Sequence, residues 1–430
     1  MTTPTKLSSP FIQKVGNGWQ FNWPVEGIEA AVERVREARG GIVAEITFRC
    51  KLPTKEGLLH MARMDLFSST ARDKMAKALD KRLQGIDWQA LTEQLCFLSI
   101  EEYRQGEPPI NLSREPLPRA PRWIYWPYVE ANGPTIFYAE GGSGKSLLAL
   151  YISLGIALGA PPTQRNKEST SRNVLYLDWE TGADVHTERL HALCAGLGIE
   201  REATPPIYYQ HMNASLPQCA EMVADQITKL EIGFVVIDSA GLAGGGDPKE
   251  PDTALALYRA IRILDVPNLI VHHKRKSGGI KNPGSDALYG SVYWFNGARN
   301  VWDLTASKDA TQEWLDVGLT HLKSNQGRLL KQRAYRIAFV NDYRDRTESI
   351  AVKEIEFADV SAFMEGMPLR QQILAELRHG AMKAADLAET LQANRASVQV
   401  KLSQMKNRNQ VVPLEGDLWG LPEREQASTA

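Results

Sequence analysis

Between Trp123 and Phe357, short apolar runs alternate with longer stretches of helical periodicity. The runs at 135–138, 173–178, 234–238, 268–272 and 300–304 are bounded by polar or glycine-containing segments, and they predict strands. Helices are predicted over 147–158, 185–195 and 252–264. Apolar strands followed in turn by helices predict an α/β fold whose mostly parallel sheet is covered on both faces. The runs at 320–323 and 334–339 predict antiparallel strands at one edge.

The flanks have a different rhythm. Residues 1–115 predict an α+β domain, with a strand at 42–50, a helix over 69–83 opened by Ser68, Ser69 and Thr70, and a second helix from Asp87 to about Arg104. Pro108, Pro109, Pro116, Pro118 and Pro121 mark a linker into the central domain, taken as 116–358. Residues 366–422 predict helices at 369–377, 381–391 and 395–405, then a hairpin of 411–414 and 418–421. Three helices and a small hairpin outline a winged helix-turn-helix.

Composition adds bounds. The 430 residues are 43% hydrophobic and 23% charged with net charge −1, so nucleic-acid affinity has to come from local patches. The start MTTPTKLSSPF lacks the apolar core of a secretory signal, and the stretch 147–158 is too short to span a bilayer. Cys50, Cys96, Cys194 and Cys219 lie far apart without metal-ligand spacing, which predicts reduced thiols in a cytoplasmic protein.

The chemistry begins where the first central strand meets the first helix. Residues 139–146 read AEGGSGKS. Gly141, Gly142 and Gly144 allow backbone N–H groups, with that of Ser143, to curl around phosphate oxygens, and the helix N-terminus aims its positive end at the same place. Lys145 supplies a point charge for the β- and γ-phosphates and Ser146 a hydroxyl for Mg²⁺. The pattern departs from the usual one at Ala139, where Gly is the rule.

A phosphate loop needs acids on neighbouring strands. Asp238 closes the apolar run FVVID, so it emerges at a strand's carboxyl end as a Mg²⁺ carboxylate. The string VLYLDWE offers Glu180 as the group that orients water and Asp178 as its competitor, both on one face if the strand persists that far. His272 and His273 alternate across the next strand, and His273 is favoured as the residue facing the γ-phosphate. The loop 274–290 then carries Lys274, Arg275, Lys276 and Lys281 among glycines with one acid, Asp286, as expected of a backbone-tracking loop for single-stranded nucleic acid.

Taken in order, AEGGSGKS, VLYLDWETG, FVVIDS, LIVHHK, GSVYWFNGARNVWDL and LTHLKSNQGR resemble the RecA-like ATPases of the RepA replicative-helicase type, especially those of plasmids, phages and integrated elements. The resemblance covers roughly 121–357. It implies ATP and Mg²⁺ bound by Lys145 and Ser146, water activated by Glu180, Asp238 as the second acidic motif and His273 as γ-phosphate sensor. It also implies a homo-oligomeric ring, most simply a hexamer, with single-stranded DNA in its channel and ATP between subunits. A cation from the neighbour then completes each site: Lys323 matches the basic position, while Asn325 stands where Arg is frequent, leaving Lys323, Arg328 or Arg299 for that part. The C-terminal unit is similar to winged-helix modules attached to such ATPases. Between Arg370 and Arg408 there are seven Lys or Arg and three acids, and Arg395, Lys401 and Lys406 form a DNA-facing set on or near a recognition helix. The reading is a DNA-directed ATPase, a ring-forming helicase or motor. The alternatives are an ATP-switched DNA-binding regulator or loader, and a recombinase-like single-strand-binding ATPase.

Overall fold

A computed structural model describes residues 7–15, 18–38, 41–52, 55–106, 109–117, 122–159, 171–274, 289–308, 313–344, 346–364 and 367–422. Their contacts divide the chain into two compact units. One comprises Met1–Pro121, Ala214–Glu231 and Tyr258–Asp265, and the other Arg122–Asn213, Ile232–Leu257 and Val266–Ala430.

In the first unit, β1 (Phe11–Val15), β2 (Gly18–Trp23), β3 (Ile28–Ala38), β4 (Gly41–Leu52) and β5 (Lys55–Asp65) form an antiparallel meander in chain order. Only one of these strands, β4, is expected from the sequence. Its alternate residues Ile42, Ala44, Ile46, Phe48 and Cys50 are buried, the period-2 signature of a sheet with one covered face. Helices α1 (Ser69–Asp80) and α2 (Trp88–Gln105) start where Ser68 and Asp87 cap the backbone N–H groups of Ala71 and Ala90. Trp88 packs edge-on against Phe48 in the shared core.

The second unit is built on a nine-stranded sheet of order β10-β9-β11-β12-β8-β13-β14-β15-β16, beside the small hairpin β6 (Trp123–Tyr125) and β7 (Val129–Glu130). The strands β8 (Pro134–Ala139), β9 (Asn173–Asp178), β10 (Ile207–His211), β11 (Ile232–Asp238), β12 (Asn268–His273) and β13 (Asn300–Lys308) run parallel. Antiparallel β14 (Trp314–Ser324), β15 (Arg333–Asn341) and β16 (Thr347–Ile355) extend the sheet beyond β13. The α/β, mostly parallel reading therefore holds, and the antiparallel extension is longer than the two short runs suggest.

That extension curls over the helices. Leu315, Val317, Leu319, Tyr335, Ile337 and Ile350 share one core with α3 (Lys145–Leu158) and with Phe137, Val174 and Val236 of the parallel strands. Enclosed on two sides, α3 is apolar all round, and Leu147 to Ala157 are buried along its length. The curl reaches α4 (Ala183–Gly196), where Gly196 lies so close to β16 that an added Cβ would sit 2.0 Å from the Ile350 carbonyl oxygen.

The C-terminal part contains α10 (Leu369–His379), β17 (Met382–Lys383), α11 (Ala384–Thr390), α12 (Arg395–Lys406), β18 (Val412–Leu414) and β19 (Leu418–Gly420). The strands pair antiparallel in the order β17-β19-β18 around Ile373, Leu377, Leu387, Val398, Leu402 and Met405. Asn394 caps α12 by accepting from the Ala396 and Ser397 N–H groups. Among the described residues no helix is long and apolar enough to cross a membrane, and all four cysteines are free and buried.

Candidate nucleotide-binding site

The loop between β8 and α3 carries its two left-handed residues at glycines, Gly142 at φ 70° and Gly144 at φ 78°. At Gly144 the requirement is double, because an added Cβ would also lie 2.7 Å from Leu315 Cδ2. Ala139 has no positive φ; it is the buried last residue of β8, and its carbonyl accepts from the Lys274 N–H at 2.8 Å. The departure from Gly costs nothing at a position that is ordinary strand.

Lys145 is buried and its ammonium donates to the Ala139 and Glu140 carbonyl oxygens at 3.1 and 2.7 Å, inside the loop it serves. Burial lowers its pKa, opposed by the charges of Asp238, Glu180 and Glu140. Ser143 turns its hydroxyl to the Glu140 carbonyl at 2.8 Å, leaving its backbone to serve the cradle. Ser146 hydrogen-bonds Asp238, which also accepts from the Tyr176 hydroxyl at 2.7 Å. Burial raises the Asp238 pKa, and the carboxylates of Asp178 and Glu180 push the same way. A cation beside Ser146 and Asp238 relieves that strain. One hydroxyl and one carboxylate suit Mg²⁺, which takes its remaining ligands from phosphate and water. Among the described residues no group of three or more His, Cys, Asp or Glu forms a protein-only metal site.

The two candidate acids after β9 separate. The strand ends at Asp178 and the chain bends, so the two do not share a strand face as alternation would have it. Asp178 is buried and turned inward: it accepts from the Glu180 N–H at 2.8 Å and the Thr181 N–H at 3.3 Å, from the Thr181 hydroxyl, and lies 2.9 Å from His186 Nε2. Burial alone would raise its pKa, yet these partners hold it well below the usual carboxylate range. Glu180, on the bend, reaches across to β11 and β12. Its Oε1 accepts from the Ser239 hydroxyl and lies 3.2 Å from His273 Nε2. The His273 contact leads the causes that lower the Glu180 pKa, so the carboxylate stays ionised. The sequence missed Tyr176, Thr181, His186 and Tyr209 as the frame of this bend, since no short motif marks them.

The paired histidines part as the alternation expects. His273 faces Glu180, while His272 is buried against Trp294 with ring centroids 4.9 Å apart, and burial brings its pKa down to about 3.

Two predicted cations are committed elsewhere. The Lys274 ammonium lies 3.1 Å from both oxygens of Asp303 and over the Tyr138 ring, so it is not part of a free basic loop. Lys323 donates to the Phe295 and Asn296 carbonyl oxygens, both at 2.9 Å, closing the end of the short helix α8 (Tyr293–Gly297). Arg299, Asn325 and Arg328 are exposed. Arg275, Lys276 and Lys281 lie outside the described residues. In the C-terminal part, Arg395 and Lys406 are exposed on α12, and Lys401 reaches Gln404 Oε1 at 3.2 Å.

Residues 106–279 match a family described as AAA domain. Together with the loop and the parallel sheet, this match supports a nucleotide-dependent P-loop ATPase. Among solved structures, a KaiC-like protein from the hyperthermophilic archaeon Pyrococcus horikoshii is similar at 15% identity and a TM-score of 0.37, over 55% of this chain and 100% of that one. No curated protein matches the sequence.

Proposed function

We propose that this chain is a Mg²⁺-dependent ATPase acting on DNA, a ring-forming helicase-like motor of the RepA type. One observation carries the catalytic part. Lys145, Ser146, Asp238, Glu180, Ser239 and His273 converge at the carboxyl ends of four adjacent parallel strands, β8, β12, β11 and β9. In this reading the loop amides and Lys145 hold the phosphate chain, and Ser146 and Asp238 hold Mg²⁺, which neutralises charge on the phosphate oxygens. The ionised Glu180 orients the attacking water. His273, touching the same carboxylate, senses whether the γ-phosphate is present.

The DNA part is supported by the C-terminal order helix, strand, helix, helix, strand, strand, that of a winged helix, whose last helix turns Arg395 and Lys406 to solvent. The hexameric ring, single-stranded DNA in its channel and a mobile-element origin follow from the resemblance in motif order. A second reading, an ATP-switched DNA-binding protein, is favoured by Lys323: its ammonium is engaged within its own chain, and Asn325 follows where Arg is frequent.

ATP turnover measured with and without single-stranded DNA, alongside unwinding of a forked duplex, separates the two. Stimulated turnover with unwinding is the expected result. Tight duplex binding without either overturns the motor and leaves the switch.

A further inference from the structure

We infer that Lys308 is a second phosphate-contacting cation of the nucleotide site, supplied in cis by the β13–β14 hairpin. The inference rests on the nucleotide reading above and concerns a residue that no motif marks.

The geometry starts in the sheet. β13 pairs with β8 only as far as Asp303 opposite Tyr138, but it continues to Lys308, still paired with β14 through Leu315. The hairpin therefore projects past the carboxyl edge of the sheet, alongside the phosphate loop. It is held there by contact, since Leu315 closes on Gly144. At the same level, the Lys308 ammonium lies 3.4 Å from where a Cβ on Gly142 would be. Gly142 thus has a cation on its side-chain face and an N–H for phosphate on its backbone.

Charge gives that cation a task. Lys145 is already faced by Asp238, Glu180 and Glu140, so a di- or triphosphate adds negative charge to a pocket that holds three carboxylates. Two other cations on this side are occupied: Lys274 by Asp303 and Arg336 by Asp316 at 2.8 Å. Lys308 is exposed and placed on the loop wall. A lysine acts there as a mobile point charge, which selects for the phosphate chain rather than for the base.

The test is titration of the full-length protein with fluorescent ADP and ATP analogues, with AMP as competitor, for the wild type, Lys308→Ala, Lys308→Arg and Lys145→Ala. Lys308→Ala is expected to weaken ADP and ATP by about tenfold and AMP by less. Lys308→Arg should stay within about threefold of wild type, and unfolding midpoints without nucleotide should be unchanged. Wild-type-like binding by Lys308→Ala, while Lys145→Ala loses affinity, overturns this inference alone. An equal loss for ADP, ATP and AMP also overturns it, because the residue then serves the hairpin or the base. A wild-type protein that binds no nucleotide overturns the ATPase reading itself.

Discussion

His273 Nε2 lies 3.2 Å from Oε1 of Glu180, a residue 93 positions earlier in the chain. The same oxygen accepts from Ser239, so three strand ends meet at one carboxylate. This junction sets what each neighbouring substitution should do.

Glu180→Gln keeps the shape of the side chain and removes its charge. Turnover is expected to fall by about 10²–10⁴, the usual worth of a positioned base, while ATP affinity stays near wild type. Phosphate release and nucleotide titration on one preparation check this, and undiminished release rejects the role.

Asp178 acts on the site through the bend it holds rather than by touching substrate. Asp178→Asn keeps an acceptor oxygen for the Glu180 and Thr181 N–H groups, but removes the charge and puts an amide donor in place of the oxygen that faces the Thr181 hydroxyl and His186 Nε2. The expected signature is a fall in kcat larger than any change in KM, together with a lower unfolding midpoint. The depressed Asp178 pKa means its contribution to stability is present above the unfolded-state value of 3.8 and is lost as pH falls below it. Acid unfolding of the variant should therefore be less steep in that range, and an identical acid limb would count against the network.

A second pH effect comes from His321. Its Nδ1 accepts from the Leu330 N–H at 3.0 Å, so its Nε2 donates to Asn300 Oδ1 at 2.7 Å and the ring is neutral. Burial brings its pKa down to about 4 from 6.5. The unfolded chain takes up this proton first, so stability is lost as pH falls from 6.5 towards 4, by up to about 3 kcal/mol. Unfolding midpoints across this range should slope downward in the wild type and less so in His321→Gln; parallel curves would reject the assignment.

Gly196→Ala tests the curl of the sheet. A Cβ placed 2.0 Å from the Ile350 carbonyl oxygen forces β16 away from α4 and should cost about 1–3 kcal/mol. Denaturant midpoints measure this, and a neutral substitution would mean that the two elements are not in register as described.

Arg395, Lys401 and Lys406 replaced together by Ala should weaken duplex binding and reduce the salt slope of log K by about 2–3, one increment per lost phosphate contact. Binding isotherms at several salt concentrations read this directly. An unchanged slope assigns α12 to another surface.

Local signals in the sequence reached far. Glycines before Lys145 and apolar runs ending in Asp178, Asp238 and His272 act within a few residues, so α3, the C-terminal helices and the parallel strands other than β10 are legible from the chain. The meander β1–β5 was legible only at β4, because the other four strands lack so clean a pattern and owe their place to pairing across the sheet. Ala139 looked like a departure in the motif, yet its strand conformation and buried position make it ordinary.

By itself, then, the sequence determined the phosphate loop, most of the strands behind it and the set of charged residues at their ends, while their order in the sheet came from the structure. Which of those residues face one another was a matter of tertiary structure. The chain bends after Asp178, turning that carboxylate inward and Glu180 outward. Lys274 is claimed by Asp303 on the adjacent strand, Lys323 by the carbonyls of α8, and Lys308 is carried to Gly142 by a hairpin that outruns its parallel partner. The reason is physical: strand periodicity fixes a side chain's face only while the strand lasts, and beyond its end long-range packing and charge pairing decide the direction.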